Sequence, residues 1–372
     1  MKTENDKEEN VKHTEYASSS LSFYLKDIKK RIDHQEQKWD IYKRYTNPYE
    51  YIHTNIPEKK RCVSKYKPLS RSYFKMIEIT QYFRLLDRYY SKEVGPIKSF
   101  HLAEGPGGFI EALVHLRNNK EDEYIGMTML NDQTDPNIPG WKKSAQFLKE
   151  NTNVNIENGK DGSGNILSID NFDYCYQKYG GSMNIITGDG GFDFSVDFNS
   201  QEQNISQLLF GQIVYALVMQ KYKGSFILKI FDCFMNHTID LLALLSSCYE
   251  KVYITKPQTS RYANSEKYIV CKNFLYRHNE RLYRHLRVSF AYMLQNAEKK
   301  IVRYLCLPLT SIFLSKIEEC NAIFGQQQIE NIHLTLNMIL DKNDNRDYLV
   351  RTNLQKCIAW CGKYNIAYHS FG

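Results

Sequence analysis

The sequence predicts an α/β fold: a doubly wound, mostly parallel sheet with helices on both faces, followed by a helical C-terminal extension. Three observations carry this. Between about 70 and 275, short β-branched and aromatic runs alternate with stretches of helical periodicity. A glycine-rich turn, Glu104-Gly105-Pro106-Gly107-Gly108-Phe109, separates the first such run from the helical stretch after it. Over the last hundred residues or so helical spacing takes over, with Lys272 at its start and Arg277, Arg281, Arg284 and Arg287 along it.

Residues 1–16 carry charges of both signs and almost no apolar side chains, so they are expected to form a disordered tail. The segment 17–69 is basic and tyrosine-rich around the Asn47-Pro48 turn, a composition that suits RNA binding and a packed N-terminal lobe alike. The main domain is expected at 70–275. Within it Ser99 to Ala103 reads as a strand entering the glycine turn, Phe109 to Leu116 as a helix and Tyr124 to Met129 as the next strand. Strand Met183 to Thr187, helix Asn204 to Gln220, strand Ser225 to Phe231 and helix Thr238 to Ser247 follow. Strands near Lys251 to Thr255 and Lys267 to Cys271 close the domain, and 276–372 is the helical extension. In such sheets sites form beyond the carboxyl ends of the strands, where the glycine turn, Asp189 and Asp232 all fall.

The 372 residues suffice for a catalytic domain with additions at both ends, and a composition of 42% hydrophobic and 24% charged residues is that of a globular protein. A formal charge of +7 favours a polyanionic partner or an acidic surface. Nine cysteines are scattered without a C-x-x-C pair, so no zinc site is expected, and Cys357 and Cys361 read as buried thiols. No signal-peptide pattern and no apolar run approaching membrane length is present, so a soluble intracellular protein is expected, cytoplasmic or nuclear, with no membrane partner. Abundant lysine, asparagine and tyrosine fit an AT-rich genome such as that of a large cytoplasmic DNA virus.

Glycines in the turn at 105–108 let backbone approach a ligand closely, although the motif lacks the third glycine of a dinucleotide fingerprint. It has company: a second glycine-rich turn, Gly159-Lys160-Asp161-Gly162-Ser163-Gly164-Asn165-Ile166, then Thr187-Gly188-Asp189-Gly190-Gly191-Phe192, Lys229 in Phe226-Ile227-Leu228-Lys229-Ile230-Phe231-Asp232, and Lys256-Pro257-Gln258-Thr259-Ser260-Arg261-Tyr262-Ala263-Asn264-Ser265-Glu266-Lys267-Tyr268.

With these segments the chain resembles the FtsJ/RrmJ-type ribose 2′-O-methyltransferases, and within them the cap-specific mRNA enzymes, over about residues 70–273. The resemblance implies a Rossmann-like methyltransferase fold, S-adenosyl-L-methionine as cofactor and capped mRNA as substrate, with a capping or transcription partner conceivable. It carries a tetrad onto Lys75, Asp189, Lys229 and Glu266. It also implies a cofactor site at Glu104, Gly105, Pro106, Gly107, Gly108, Phe109, Asn165, Ile166 and Asp189, and RNA contacts at Ser70, Arg71, Asn199, Gln201, Arg261 and Asn264. His101 and Asn165 stand where the family usually has acidic residues.

Methyl transfer from a sulfonium to a hydroxyl needs an in-line geometry and a base. Lys229 is the expected base, its pKa lowered by the like charge of Lys75, with Asp189 and Glu266 orienting the two ammonium groups. The sulfonium makes its own methyl electrophilic, so no catalytic metal is expected. A cationic cap base would stack between aromatic rings, for which Tyr42, Tyr45, Tyr49, Tyr51 and Tyr262 are candidates. Two readings compete with the cap enzyme: a ribosomal or transfer RNA ribose methyltransferase, and a non-catalytic RNA-binding or polymerase-associated subunit that retains the fold.

Overall fold

A computed structural model describes residues 1–3, 17–90, 95–130, 140–191, 201–340 and 345–371. The chain opens with β1 (Lys2–Thr3), then α1 (Ser19–Asp33), α2 (Glu36–Thr46) and α3 (Ser72–Tyr82). The alternating region runs β2 (Lys98–Leu102), α4 (Gly108–Arg117), β3 (Glu123–Met127), α5 (Ala145–Glu150), β4 (Val154–Ile156), α6 (Ile169–Tyr179), β5 (Met183–Gly188), α7 (Gln201–Asn204), α8 (Ser206–Met219), β6 (Gln220–Ile230), α9 (Asn236–Cys248), β7 (Tyr249–Thr255) and β8 (Lys267–Phe274). The remainder is α10 (Glu280–Gln295), β9 (Ile301–Arg303), α11 (Ser311–Leu340) and α12 (Arg346–Lys363).

β2 to β8 form one seven-stranded sheet in the order β4-β3-β2-β5-β6-β8-β7. β8 runs antiparallel to both β6 and β7, and the other pairs are parallel. This is the doubly wound, mostly parallel sheet expected, closed by an antiparallel strand pair. One core lies between the sheet and the helix layer holding α6, α8, α9 and α10. A second lies on the opposite face under α3, α4 and α12. α8 is buried nearly all round, as its apolar sequence requires.

The expected tail begins differently. Lys2 and Thr3 pair with Arg303 and Ile301 of β9, and residues 4–16 lie outside the described ones. The two extensions also meet each other: Thr46 Oγ1 is 2.7 Å from Thr335 Oγ1, Asn331 donates to the Thr46 carbonyl at 3.0 Å and Asn353 to the Tyr45 carbonyl at 2.7 Å.

Candidate active site

Strand parity brings the predicted tetrad together. Side chains alternate across a strand, so Lys229 shares the face of Ile227, Tyr268 that of Val270, and Asp189, one residue past β5, that of Ile185. All three apolar residues belong to the core under α3 and α4. α3 lies over this face and brings Lys75, itself almost fully buried, down onto it. Lys75 Nζ lies 2.5 Å from Glu266 Oε1. Lys229 Nζ lies 3.1 Å from Asp189 Oδ1 and donates to the Asp189 carbonyl at 2.6 Å.

The electrostatics differ from the expectation in one respect. Burial opposes the charge on Lys229, but Asp189, Glu266 and Glu104 outweigh it and raise its pKa. Lys75 is the lysine whose pKa falls: burial lowers it, Glu266 opposes and Arg71 adds to the fall. Three carboxylates surround Lys229, so the neighbouring ammonium does not set its state. Glu266 is held well below the usual carboxylate range, since Lys75, Lys229 and Arg71 overcome its burial.

A residue the sequence reading missed, Tyr268, sits at the centre. It faces Lys229 directly across the β6–β8 ladder. Its hydroxyl donates to Asp189 Oδ1 at 3.3 Å and to Glu266 Oε1 at 3.4 Å, and lies 3.5 Å from Lys75 Nζ. The signal was present: Tyr268 closes the quoted motif, two residues past Glu266 and two before Val270 on the same face of β8.

The loop 256–266 that delivers Glu266 is pinned from several sides. Lys256 Nζ closes it by donating to the Asn264 carbonyl at 2.6 Å, Asn264 Oδ1 at 2.8 Å and the Glu266 carbonyl at 2.8 Å. Glu78, one helical turn beyond Lys75, accepts from Gln258 N–H at 2.8 Å, Thr259 N–H at 3.3 Å, Thr259 Oγ1 at 3.2 Å and the Trp360 indole at 3.1 Å. Ser260 Oγ then donates to Glu266 Oε1 at 3.0 Å. Glu50, from the N-terminal extension, grips Arg261 at 2.6 and 3.0 Å. Lys256, Glu78 and Glu50 were not singled out as site residues; the first lies inside the quoted motif, and the other two are buried acids with no local signature.

The glycine turn lies beside the tetrad. Ala103, at φ 52, turns the chain out of β2 into the left-handed region. Glu104 caps the following helix by accepting from Phe109 N–H at 2.6 Å. Gly107, at φ 102, precedes α4, and a Cβ on Gly108 would strike Ser70 Oγ at 2.2 Å and Ser72 Oγ at 2.3 Å. Glu104 Oε2 is buried without a hydrogen-bond partner. Burial, then Asp189, push the Glu104 carboxyl upward. A buried carboxyl with an open oxygen, within electrostatic reach of Asp189, fits a cationic cofactor.

Elsewhere the expected cofactor residues are already engaged. Asn165 Oδ1 accepts from Leu167 N–H at 2.9 Å and the Ile166 side chain is buried in the core, so backbone and the Asn165 amide nitrogen are what this turn offers a ligand. Gly164 must be glycine, since a Cβ would sit 2.0 Å from the Thr128 carbonyl. His101 bridges Ser99 Oγ and Thr187 Oγ1, each at 2.8 Å, and burial lowers its pKa to about 3. It is a neutral staple between β2 and β5. Asp232 is paired with Lys29 at 3.2 Å and Lys267 at 3.5 Å, outside the tetrad.

Of the expected RNA contacts, Arg261 is committed to Glu50, Asn264 to Lys256, and Gln201 accepts from Ser265 Oγ at 3.0 Å. Ser70 is packed against Ser72 beneath Gly108. Asn199 lies outside the described residues. Arg71 lies in the site, its pKa lowered by burial and by Arg261 against the pull of Glu266 and Glu50. Among the candidate cap-stacking tyrosines, Tyr51 is fully buried in the core, and Tyr42 and Tyr45 meet at 55° with centroids 6.4 Å apart, so that pair does not form a parallel sandwich.

A family model described as FtsJ-like methyltransferase matches residues 68–274. Among similar curated proteins, cap-specific mRNA (nucleoside-2'-O-)-methyltransferase 2 of Drosophila melanogaster is 29% identical over 269 residues, 69% of this chain and 37% of the relative. Its namesake from Pongo abelii is 28% identical over 330 residues, 86% of this chain and 42% of the relative. Cap-specific mRNA (nucleoside-2'-O-)-methyltransferase 1 of Trypanosoma brucei brucei is 30% identical over 195 residues, 50% of each chain. This chain therefore spans 37% and 42% of the length of the first two relatives.

Proposed function

Because the chain belongs to the FtsJ-like methyltransferases, we propose that it transfers a methyl group from S-adenosylmethionine to a ribose 2′-hydroxyl of RNA, at the first transcribed nucleotide of a capped mRNA. The observation that carries this reading is the interleaving of two lysines and two carboxylates around one hydroxyl: Lys75 with Glu266, Lys229 with Asp189, and Tyr268 between them. The names of the similar proteins support the cap as the substrate feature.

When bound, the cofactor supplies a methyl group on a positively charged sulfonium. Glu104 and Asp189 would hold that charge, and the backbone at Gly105 to Phe109, with Asn165 and Ile166, would line the rest of the site. Lys229 serves as the base. Its ammonium is stabilised by Asp189, Glu266 and Glu104; with a cation held by Glu104 and Asp189, these carboxyl groups would stabilise it less, and its pKa would fall toward the useful range. Lys75, tethered by Glu266, orients the hydroxyl. Arg71 is the cation available to an RNA phosphate.

The test is methyl transfer from labelled S-adenosylmethionine to matched capped and uncapped RNAs. Label on capped RNA alone supports the cap enzyme. Equal labelling of uncapped RNA replaces it with a ribosomal or transfer RNA enzyme, and cofactor binding without any transfer favours a non-catalytic subunit.

A further inference from the structure

The far edge of the sheet holds a group of cations and aromatic rings that the methyl-transfer chemistry does not use. Among the described residues β7 is the outermost strand, paired with β8 alone. Lys251 of β7 lies directly opposite Lys272 of β8, a juxtaposition of like charges that costs stability. Arg84 and Arg88 follow α3 and join the same neighbourhood. Burial, then Lys251, lower the Lys272 pKa; Asp87 opposes them, and Arg84 and Arg88 add to the fall. Asp87 is itself paired with Arg84. Lys272 Nζ donates to the Phe83 carbonyl at 2.6 Å and so helps cap α3.

Beside these cations runs a row of rings. Tyr82 meets Phe83 at 5.0 Å between centroids, and Phe83 meets Tyr253 at 5.1 Å. Tyr82 is 66% exposed and Tyr253 39% exposed. A lysine on an edge strand commonly prevents sheet-to-sheet pairing, which would explain Lys251 alone. It does not explain two open tyrosines next to it, since exposed rings promote the association that an edge lysine prevents.

We propose that this edge is a platform for single-stranded RNA, with bases stacking on Tyr82 and Tyr253 and backbone phosphates meeting Lys251, Lys272, Arg84 and Arg88. Aromatic rings interleaved with cations are how proteins hold single strands without reading sequence. Lys251, Tyr253 and Thr255 project to one face, and Thr255 is opposite Tyr268. At about 3.4 Å per residue, Tyr253 and Lys251 lie roughly 7 and 14 Å along the strand from the position facing Tyr268. RNA continuing past the reacting nucleotide therefore reaches the platform without a long detour. The proposal rests on the RNA-methylation reading and adds to it a second contact zone.

The experiment compares the full chain with Lys251→Glu and with Tyr82→Ala plus Tyr253→Ala, by anisotropy on an unstructured capped RNA of about 20 nucleotides across a salt series, and by methylation of a capped RNA of about 4 nucleotides. The expected result is about tenfold weaker binding of the long RNA by Lys251→Glu, with a salt slope shallower by about one, and at least about fivefold weaker binding by the tyrosine pair. Methylation of the short RNA at saturation stays at the wild-type rate. Lys251→Glu also melts no lower than wild type, because it places a carboxylate opposite Lys272. Unchanged affinity and slope for the long RNA, in variants that still methylate the short one, overturn the platform and leave the methyltransferase reading intact. A wild-type chain that methylates neither RNA overturns the methylation reading, and the platform with it.

Discussion

In the proposed reaction Lys229 is the base, and its surroundings predict a pH dependence. In the unloaded site its carboxylate neighbours keep it protonated, whereas a base must be neutral. Activity should therefore rise with pH. The apparent pKa should be higher in kcat/KM measured against the cofactor, which reports the free protein, than in kcat, which reports the loaded one. Profiles with equal apparent pKa values would remove the coupling between Lys229 and the cofactor charge. Tyr268 makes a contrasting case. Its three contacts, at 3.3 to 3.5 Å, are long, so Tyr268→Phe should keep the fold and reduce kcat only a fewfold. A loss of three orders of magnitude would show that the hydroxyl takes part in proton transfer. That Lys75, Asp189, Lys229 and Glu266 would meet was legible because each sits in a local motif that carries the family resemblance. Tyr268, Glu78 and Glu50 were not, because their importance comes from partners distant in sequence, such as the Trp360 indole and the Arg261 guanidinium.

At the level of elements, the strands and helices read in the alternating region fall within about five residues of where periodicity puts them, since a buried parallel sheet writes itself as short apolar runs, whereas α5, β4 and α6, which are short or only partly buried, were not read. α3 was not anticipated for a physical reason: every residue from Ser72 to Thr80 is buried, so the helix shows no polar stripe. This helix carries both Lys75 and Glu78, and thereby ties a tetrad member to the loop that delivers Glu266. Glu78→Ala would strand four donors in a buried place and should cost about 3 kcal/mol in urea unfolding, with reduced kcat in the surviving folded protein. Glu78→Gln, which keeps one acceptor oxygen, should recover part of both. A Glu78→Ala variant with wild-type stability and rate would mean that the loop holds its shape unaided.

For the whole molecule, the compositional boundaries near 70 and 275 divide the sequence more sharply than the structure. Trp360, Cys357 and Cys361 of α12 lie in the same core as Tyr73, Phe74 and Ile77 of α3. The N-terminal extension supplies Glu50 to the loop through Arg261. A fragment limited to 70–275 should therefore lack a closed core on the α3 face and fail to show a cooperative thermal transition, while the full chain shows one. Glu50 and Glu266 are both held below the usual carboxylate range. Their stabilising contribution is complete above the unfolded value near 4.3 and is lost as pH falls through their folded values, so acid unfolding below about pH 4 should begin at this loop. Hydrogen exchange that opens elsewhere first would contradict that order.

The proposed role of the Lys75, Asp189, Lys229 and Glu266 arrangement is the methylation of a ribose hydroxyl. The direct measurement is to incubate the full chain with labelled S-adenosylmethionine and a short capped RNA, digest the product to nucleosides, and locate the label, with Lys229→Ala in parallel. The expected result is label on the ribose 2′-oxygen next to the cap, reduced by at least about a hundredfold in the variant. Label on a base, or equal transfer by Lys229→Ala, would contradict it.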